Sequence, residues 1–360
     1  MNKLFITLIY LTTGLLLAQN GAPANPYYNG FNWNLTGMNL KDALATKITN
    51  THTNQLVYTP GVWNALKIVD LDPTNTANVL LVYGWEPGLD ADATNDRTRD
   101  KNANSGTNGD WNREHIYAQS LGTPDLGQSG PGADAHMLRA CDVQRNANRG
   151  NRLYASGSGA ASYSIGANSW YPGDEWKGDV ARILMYMYLH YGAQCLPTTV
   201  AVGSPMASDS NMIDLLLQWN ADDPVSQYED NRNTYMNNTN NTFAQGNRNP
   251  FIDNPYLATR IWGGPNAQNR WPNLFLSNEF FDTTDIGIFP NPSTTHSVYV
   301  QTNTTLDRIA VYNVNGQEIM RLEQPSFSNN TLEIKDIPSG FYFFKMEVGN
   351  ESVTQKVIIK

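Results

Sequence analysis

The sequence predicts a protein of two parts: a body that mixes helices and strands, followed by a small all-β domain. Within the body, residues 175–191 carry apolar side chains at helical spacing, and residues 78–83 form a short apolar run suited to a buried strand. After residue 285, apolar and polar residues alternate instead. Two domains agree with a length of 360 residues, since a domain averages roughly 150.

The N-terminal residues have the composition of a signal peptide. Lys3 precedes a mostly apolar run over residues 4–17, and the small residue Ala18 follows it. This run is shorter than the roughly 20 residues that cross a bilayer as a helix. We therefore expect a signal peptide at residues 1–18 and an exported mature chain with no stable membrane span.

The body is expected to extend over residues 19–280. Residues 175–191 predict a helix with a broad apolar face, and residues 212–219 predict a shorter one. Residues 231–249 are rich in Asn and show no periodicity, so we expect a loop there.

Residues 286–360 predict a small β-sandwich. Several short runs in this segment alternate between apolar and polar residues, which is typical of strands with one buried face. Asn315-Gly316 lies between two such runs and is the strongest short signal for a β-hairpin.

Charge and cysteine content limit the possible functions. The formal net charge is −9, which by itself argues against a nucleic-acid binder because phosphate affinity normally depends on a basic surface. Cys141 and Cys195 are too few for a disulfide framework and form no zinc pattern. Whether they pair is left open by the sequence.

One polar stretch, residues 110–151, holds the residue types that metal-assisted hydrolysis needs. Glu114 is a hard oxygen donor of the kind that Mg²⁺ or Ca²⁺ prefers, and Asn146 offers a neutral amide oxygen. His115 is a base whose ordinary pKa lies near neutrality. Adjacent strand residues point to opposite faces, so Glu114 and His115 can serve one site only at a strand end or in a loop.

The other histidines lack such support in the sequence. His136 is interpreted as a structural residue, and His52, His190 and His296 have no chemically related residues nearby in the chain. His190 falls at the end of the predicted helix 175–191, where a histidine is favoured by the helix dipole.

The order of the motifs adds a family resemblance. Asn112-Arg113-Glu114-His115 and Ser120, then Asp134-x-His136-x-Leu138, then Asn146-x-x-Arg149-x-Asn151 resemble the bacterial endonuclease I family of ββα-metal (His-Me finger) nucleases. Residues 174–182 and 245–253 fit the same family, and the resemblance covers about residues 30–265. It implies an α+β nuclease fold with the base at a strand end and a metal ligand on the following helix.

The resemblance also implies roles for individual residues. His115 would be the general base, and Glu114 and Asn146 would hold a divalent cation, Mg²⁺ as the first expectation with Ca²⁺ or Mn²⁺ as alternatives. The chain departs from the family at Tyr117-Ala118, where Trp-Pro is usual, and at Met137, where a second His is frequent. None of these positions is a base or a ligand.

Four further residues are expected to support the site or contact phosphate: Arg113, Arg149, Asn151 and Arg182. Arg149 and Asn151 would either brace the helix or touch the substrate. For Arg182 we favour the alternative of a surface ion pair with Asp179 or Glu175, which lie three and seven residues earlier in the chain.

A second resemblance concerns the C-terminal segment. Residues 288–292, 314–316, 338–342 and 356–360 resemble the C-terminal sorting domain of the Bacteroidetes type IX secretion system. This implies that the secretion machinery is a partner and that the protein is secreted or placed on the cell surface. A generic β-sandwich adhesion module is the alternative.

These observations together predict a secreted, monomeric, metal-dependent endonuclease that cleaves DNA, and also RNA, without sequence specificity. The acidic net charge lowers the expected affinity for nucleic acid but not the expected activity, because a nonspecific nuclease needs to bind the phosphate backbone only weakly. Two alternatives stay open: a catalytically inactive surface or matrix-binding protein with the same body, and a metal phosphodiesterase for small esters.

Overall fold

A computed structural model describes residues 21–88, 90–275, 286–302, 305–348 and 351–360. The expected signal peptide lies outside these residues. The chain forms two compact units, of which the first ends at Leu274 and the second begins at Phe275. No helix in the described residues is long and apolar enough to cross a membrane.

The first unit contains all the α-helices of the described chain. They are α1 Gly37–Thr51, α2 Trp63–Val69, α3 Val143–Arg149, α4 Lys177–Tyr191, α5 Asp214–Asp222, α6 Gln227–Asn237, α7 Pro250–Asp253 and α8 Tyr256–Trp262.

The strands of this unit are short and form four small sheets. They are β1 Leu71–Asp72, β2 Asn75–Leu80, β3 Thr98–Asp100, β4 Trp111–His115, β5 Leu138–Asp142, β6 Leu153–Tyr154, β7 Tyr163–Ile165, β8 Ser169–Tyr171, β9 Pro205–Met206 and β10 Asp209–Ile213. The sheets are β1-β2-β3, the antiparallel pair β4-β5, the sheet β6-β8-β7 and the pair β9-β10.

Helix α4 forms the centre of the first unit. Every residue from Gly178 to Leu189 is buried, and α1, α5 and α7 pack against it. A helix enclosed on all sides carries apolar residues around most of its circumference, which explains the broad apolar face in the sequence. The expected α+β class of this unit is confirmed.

The prediction of a loop over residues 231–249 is wrong for residues 231–237, because these belong to α6. Ser226 and Glu229 form a capping box: the Ser226 hydroxyl accepts from the Glu229 amide at 3.3 Å, and Glu229 Oε2 accepts from the Ser226 amide at 2.9 Å. Buried contacts then stabilise a helix that its composition does not favour, since Asn has a low helix propensity.

The second unit consists of two antiparallel sheets. The first contains β11 Gly287–Phe289, β12 Val298–Gln301 and β15 Thr331–Ile334. The second contains β13 Arg308–Asn313, β14 Glu318–Glu323, β16 Gly340–Val348 and β17 Glu351–Ile359. Apolar side chains from strands of both sheets, among them Val298, Ile309 and Phe344, form one buried cluster. The predicted Asn315-Gly316 hairpin joins β13 to β14, with Gly316 at a φ of 75°.

A shortened chain of residues 21–275 is expected to fold and to cleave nucleic acid at close to the full-length rate. The catalytic residues predicted above and their own buried core all belong to the first unit. Initial rates of plasmid cleavage by both purified chains test this expectation. A shortened chain that is folded but inactive would show that the second unit contributes to the reaction.

In the native host, the same shortening, with the N-terminal 20 residues retained for export, is expected to leave the nuclease inside the cell envelope. The physical reason is loss of the segment that the secretion machinery is expected to recognise. Nuclease activity is measured in the culture medium and in the periplasmic fraction. If the shortened protein reaches the medium at the full-length level, sorting does not depend on the second unit.

Candidate active site

The predicted site is built on the antiparallel pair β4-β5 and the helix α3 that follows it. His115, the last residue of β4, pairs with Leu138 at the start of β5. Asp142 ends β5 and caps α3, because its carboxylate accepts hydrogen bonds from the Gln144 and Arg145 amides. This strand–strand–helix unit places Glu114 and His115 at a strand end, as the sequence predicted.

His115 is held by a backbone carbonyl. Its Nε2 lies 3.0 Å from the Gly132 oxygen, and since a carbonyl only accepts, Nε2 carries the proton and Nδ1 is left as the basic nitrogen. Burial, helped by the positive charges of Arg113 and Arg149, lowers the pKa of His115 to about 4. The imidazole is therefore neutral at pH 7 and able to accept a proton.

Glu114 is a buried carboxylate with one oxygen already engaged. Oε1 accepts a hydrogen bond from the Tyr83 hydroxyl at 2.8 Å and another from Arg149 Nη1 at 3.1 Å. Burial raises the pKa of Glu114, and the charge of Arg149 limits that rise. Both side-chain donors bind Oε1, so a cation would bind through Oε2.

Asn146 is fixed by its amide nitrogen. Nδ2 donates to Asn112 Oδ1 at 2.7 Å and to the Arg113 carbonyl at 3.3 Å, which leaves Oδ1 as a free acceptor. Ligands oriented in this way by neighbouring hydrogen bonds are typical of metal sites. One carboxylate oxygen and one amide oxygen suit a hard cation such as Mg²⁺.

Glu114, His115 and Asn146 line one cleft of about 370 Å³. Gln119, Ser120 and Asn151 line the same cleft. A base, two oxygen donors and several neutral hydrogen-bonding groups therefore face a common space, which is the arrangement that attack by water on a phosphodiester requires.

The body of the chain matches a known family. Residues 36–256 match the model of the Endonuclease I family, which is more than half of the chain. The chain belongs to the endonuclease I family. It is a nuclease.

Two curated relatives of this family member are extracellular ribonucleases from Bacillus. The chain is 42% identical to the extracellular ribonuclease of Bacillus subtilis (strain 168) over 267 residues, covering 69% of this chain and 84% of the relative. It is 41% identical to that of Bacillus amyloliquefaciens over 235 residues, covering 63% and 75%.

The second unit of this endonuclease I protein matches a different family. Residues 287–360 match the model of the secretion system C-terminal sorting domain. The nuclease is therefore secreted or located at the cell surface, and the secretion system is a partner of its C-terminal domain.

Arg149 contacts the site from within the protein. It is fully buried, and besides Glu114 it donates to the His115 carbonyl at 2.8 Å and to the Ile116 carbonyl at 3.0 Å. These bonds connect the last residue of α3 to the end of β4. Asn151 is exposed at the cleft, where a phosphate can reach it.

The less favoured of the two roles predicted for Arg182, a phosphate contact, does not agree with the structure. Its side chain is fully buried and bonds to Glu229 Oε1 at 2.6 Å and to Asp179 Oδ1 at 3.3 Å. The favoured alternative of an ion pair with Asp179 is correct, but the pair lies in the interior and not on the surface. Glu175 instead pairs with Arg97 at 2.6 Å.

Sequence reasoning missed two tyrosines at the site. The Tyr58 ring stacks on His115 with centroids 5.7 Å apart, and the Arg113 guanidinium lies 3.5 Å from the Tyr58 ring. Tyr83, which orients Glu114, has a φ of 74°, a left-handed conformation that bulky residues rarely adopt. Neither tyrosine lies in a recognisable motif.

The structure also shows the environments of His136 and of the two cysteines. His136 is buried against Tyr186 and bonds to the Asn247 carbonyl at 3.2 Å, as expected of a structural residue. Cys141 and Cys195 are both buried free thiols.

Proposed function

We propose that this nuclease is a metal-dependent, sequence-nonspecific endonuclease that cleaves both DNA and RNA. One observation carries the proposal: a neutral imidazole and two oriented oxygen donors line the same cleft. The relatives named as ribonucleases support RNA as one substrate. A nuclease that contacts only the sugar-phosphate backbone needs no base-specific contact, so the same cleft can bind DNA or RNA.

Glu114 and Asn146 would hold the cation, with Mg²⁺ expected first and Mn²⁺ or Ca²⁺ as alternatives. When bound, the cation supplies positive charge that stabilises the negative charge developing on the scissile phosphate. Arg149 favours the ionised form of the Glu114 carboxylate and holds it in place, and the Asn112 side chain keeps Asn146 oriented.

His115 would take the proton from the attacking water through Nδ1. The Gly132 carbonyl holds the opposite ring nitrogen, so the imidazole keeps its orientation and tautomer. Arg113 and Asn151 lie at the same cleft and would contact neighbouring phosphates. Stacking of Arg113 on Tyr58 restricts its guanidinium to this position.

The direct test uses supercoiled plasmid and a mixed-sequence RNA with purified full-length protein. Cleavage of both is expected with Mg²⁺, none with excess EDTA, and recovery when Mg²⁺ is restored. Cleavage that persists in EDTA would overturn the metal dependence. Cleavage of only one nucleic acid would overturn the dual specificity.

Removing either proposed ligand is expected to raise the Mg²⁺ concentration needed for half-maximal cleavage. Glu114→Gln should have the larger effect, because Glu114 supplies the only formal charge of the pair. An increase of about tenfold or more is expected, since even changes that only affect ligand orientation cost about 10- to 100-fold in affinity. Asn146→Ala should give a smaller increase in the same titration.

Asn148→Ala is the matched control for Asn146→Ala, because Asn148 is exposed on the same helix α3. It should keep the wild-type Mg²⁺ midpoint. If Glu114→Gln and Asn146→Ala also keep that midpoint, the catalytic cation is bound elsewhere.

A further inference from the structure

A second cluster of potential metal ligands lies outside the cleft. His52 follows α1, His190 lies in the last turn of α4, and Asp134 follows the short helical turn Gly130–Ala133. One ligand atom from each residue lies within 4.8 Å of the other two. Among the described residues this is the only group of three such side chains at metal-binding distance.

The two imidazoles face each other. His52 Nδ1 lies 2.7 Å from His190 Nε2, so in the metal-free protein the two nitrogens share one proton. A cation that replaces this proton would bond to both rings. The other nitrogen of His190, Nδ1, lies 3.2 Å from the Thr49 hydroxyl, a contact of the kind that fixes ring orientation in metal-binding histidines.

His52 also lacks a contact that a purely structural histidine makes. Its Nε2 is buried and has no hydrogen-bond partner, although buried polar atoms are nearly always paired. By comparison, the structural His136 bonds through its Nε2 to the Asn247 carbonyl. The only side-chain hydrogen bond that the His52 ring makes among the described residues is thus the one from Nδ1 to His190, the nitrogen that the cation would bind.

Asp134 supplies an ionised carboxylate at the base of the cluster. Four donors bond to it: the His136 amide, Gln245 Nε2 and the hydroxyls of Tyr186 and Tyr191, at 2.8–3.0 Å. These bonds fill the four acceptor positions of a carboxylate, so a cation would take the place of one hydroxyl. Tyr191 is the partly exposed member of this set.

We propose that His52, Asp134 and His190 form a binding site for a late first-row divalent cation, with Zn²⁺ as the representative ion. Two imidazole nitrogens and one carboxylate oxygen match the ligands of Zn²⁺, whereas Mg²⁺ and Ca²⁺ prefer oxygen alone. Tetrahedral bonds of about 2.1 Å place two ligand atoms roughly 3.4 Å apart. The two histidine nitrogens are 2.7 Å apart, and all three ligand atoms lie within 4.8 Å of one another, so small side-chain rotations bring them to that separation. His190 is only half-buried, and a cleft of about 600 Å³ beside it gives access to solvent.

The proposed metal site lies next to the turn that holds His115, the proposed general base. Asp134 is two residues from Gly132, whose carbonyl holds His115. A cation bound to Asp134 would connect this turn to α1 and α4, and so fix the carbonyl that orients the imidazole. The site is chemically distinct from the cleft, which presents oxygen ligands and a single imidazole.

Calorimetric titration of EDTA-treated, full-length protein with Zn²⁺ tests the proposal, with millimolar Mg²⁺ present to occupy the oxygen site. One Zn²⁺ is expected to bind and to raise the midpoint of thermal unfolding, because the ion binds only the folded chain. His190→Gln should weaken binding at least tenfold and remove the thermal shift. Tyr191→Phe should bind at least as tightly as wild type, because no hydroxyl has to be displaced.

Two controls separate the clusters. His296→Gln, in the second unit, and Glu114→Gln, in the cleft, should both leave Zn²⁺ binding unchanged. The proposal is overturned if wild-type protein binds no Zn²⁺, if His190→Gln binds it as well as wild type, or if Glu114→Gln abolishes binding. If His52→Gln does not fold, the half-buried His190 provides the decisive variant.

Discussion

Replacing His115 with alanine is expected to lower phosphodiester cleavage by a factor of about 10² to 10⁴, the usual contribution of a positioned acid–base group. His115 is the only imidazole that lines the cleft of the described chain, and its Nδ1 is unprotonated at pH 7. The remaining residues would still bind substrate and cation. Single-turnover cleavage at saturating enzyme measures the loss in the chemical step directly.

A second variant separates proton transfer from positioning. In His115→Gln, the side-chain amide nitrogen can replace Nε2 and donate to the Gly132 carbonyl, but no base is present. It should be as inactive as His115→Ala while keeping the wild-type thermal midpoint and Mg²⁺ midpoint. Recovery of most of the activity in His115→Gln would mean that His115 acts by holding the turn at Gly132, and not as the base.

The proposed catalytic residues could be singled out in the sequence because they are close together in the chain. Glu114 and His115 are adjacent, and Asn146 follows within one strand–strand–helix unit. Strand geometry also restricts where such a site can lie. Two adjacent strand residues can serve one site only where the strand ends, and β4 ends at His115.

The environment of Arg182 could not be predicted, because its partners are distant in sequence. Glu229 lies 47 residues further along the chain, on a helix that its Asn-rich composition does not favour. From sequence alone, only the nearby Asp179 and Glu175 were visible as partners. Tertiary packing selected one of them and placed the pair in the interior.

The His52, Asp134 and His190 cluster was missed for the same reason. The hydrogen bond between the two histidines joins residues 138 positions apart, so no ligand spacing exists in the sequence. Packing of α1 against α4 brings them together. Spacing motifs identify metal sites only when at least two ligands belong to one local element.

The second large effect is expected on stability. Arg149→Met should lower the free energy of unfolding by about 3–5 kcal/mol, the usual loss when one partner of a buried ion pair is removed. Glu114 is 2% exposed, and Arg149 is its only positively charged partner among the described residues. The Met variant also leaves the His115 and Ile116 carbonyls without their donor. Urea denaturation measures the loss.

Arg152→Met is the matched control, since Arg152 is only partly buried, lies just beyond the same helix and has no ion pair in the described chain. It should lower the free energy of unfolding by only about 0.5–1.5 kcal/mol, the usual net contribution of a hydrogen bond, since it removes the bonds to the Asn148 and Arg149 carbonyls but no ion pair. The double variant Glu114→Gln with Arg149→Met should be less destabilised than the sum of the single variants, because no unpaired carboxylate remains buried. If Arg149 instead acted as a phosphate contact, Arg149→Met would raise KM and leave the unfolding free energy unchanged. Such a result would require its guanidinium to leave the interior, where three hydrogen bonds to Glu114, His115 and Ile116 now hold it.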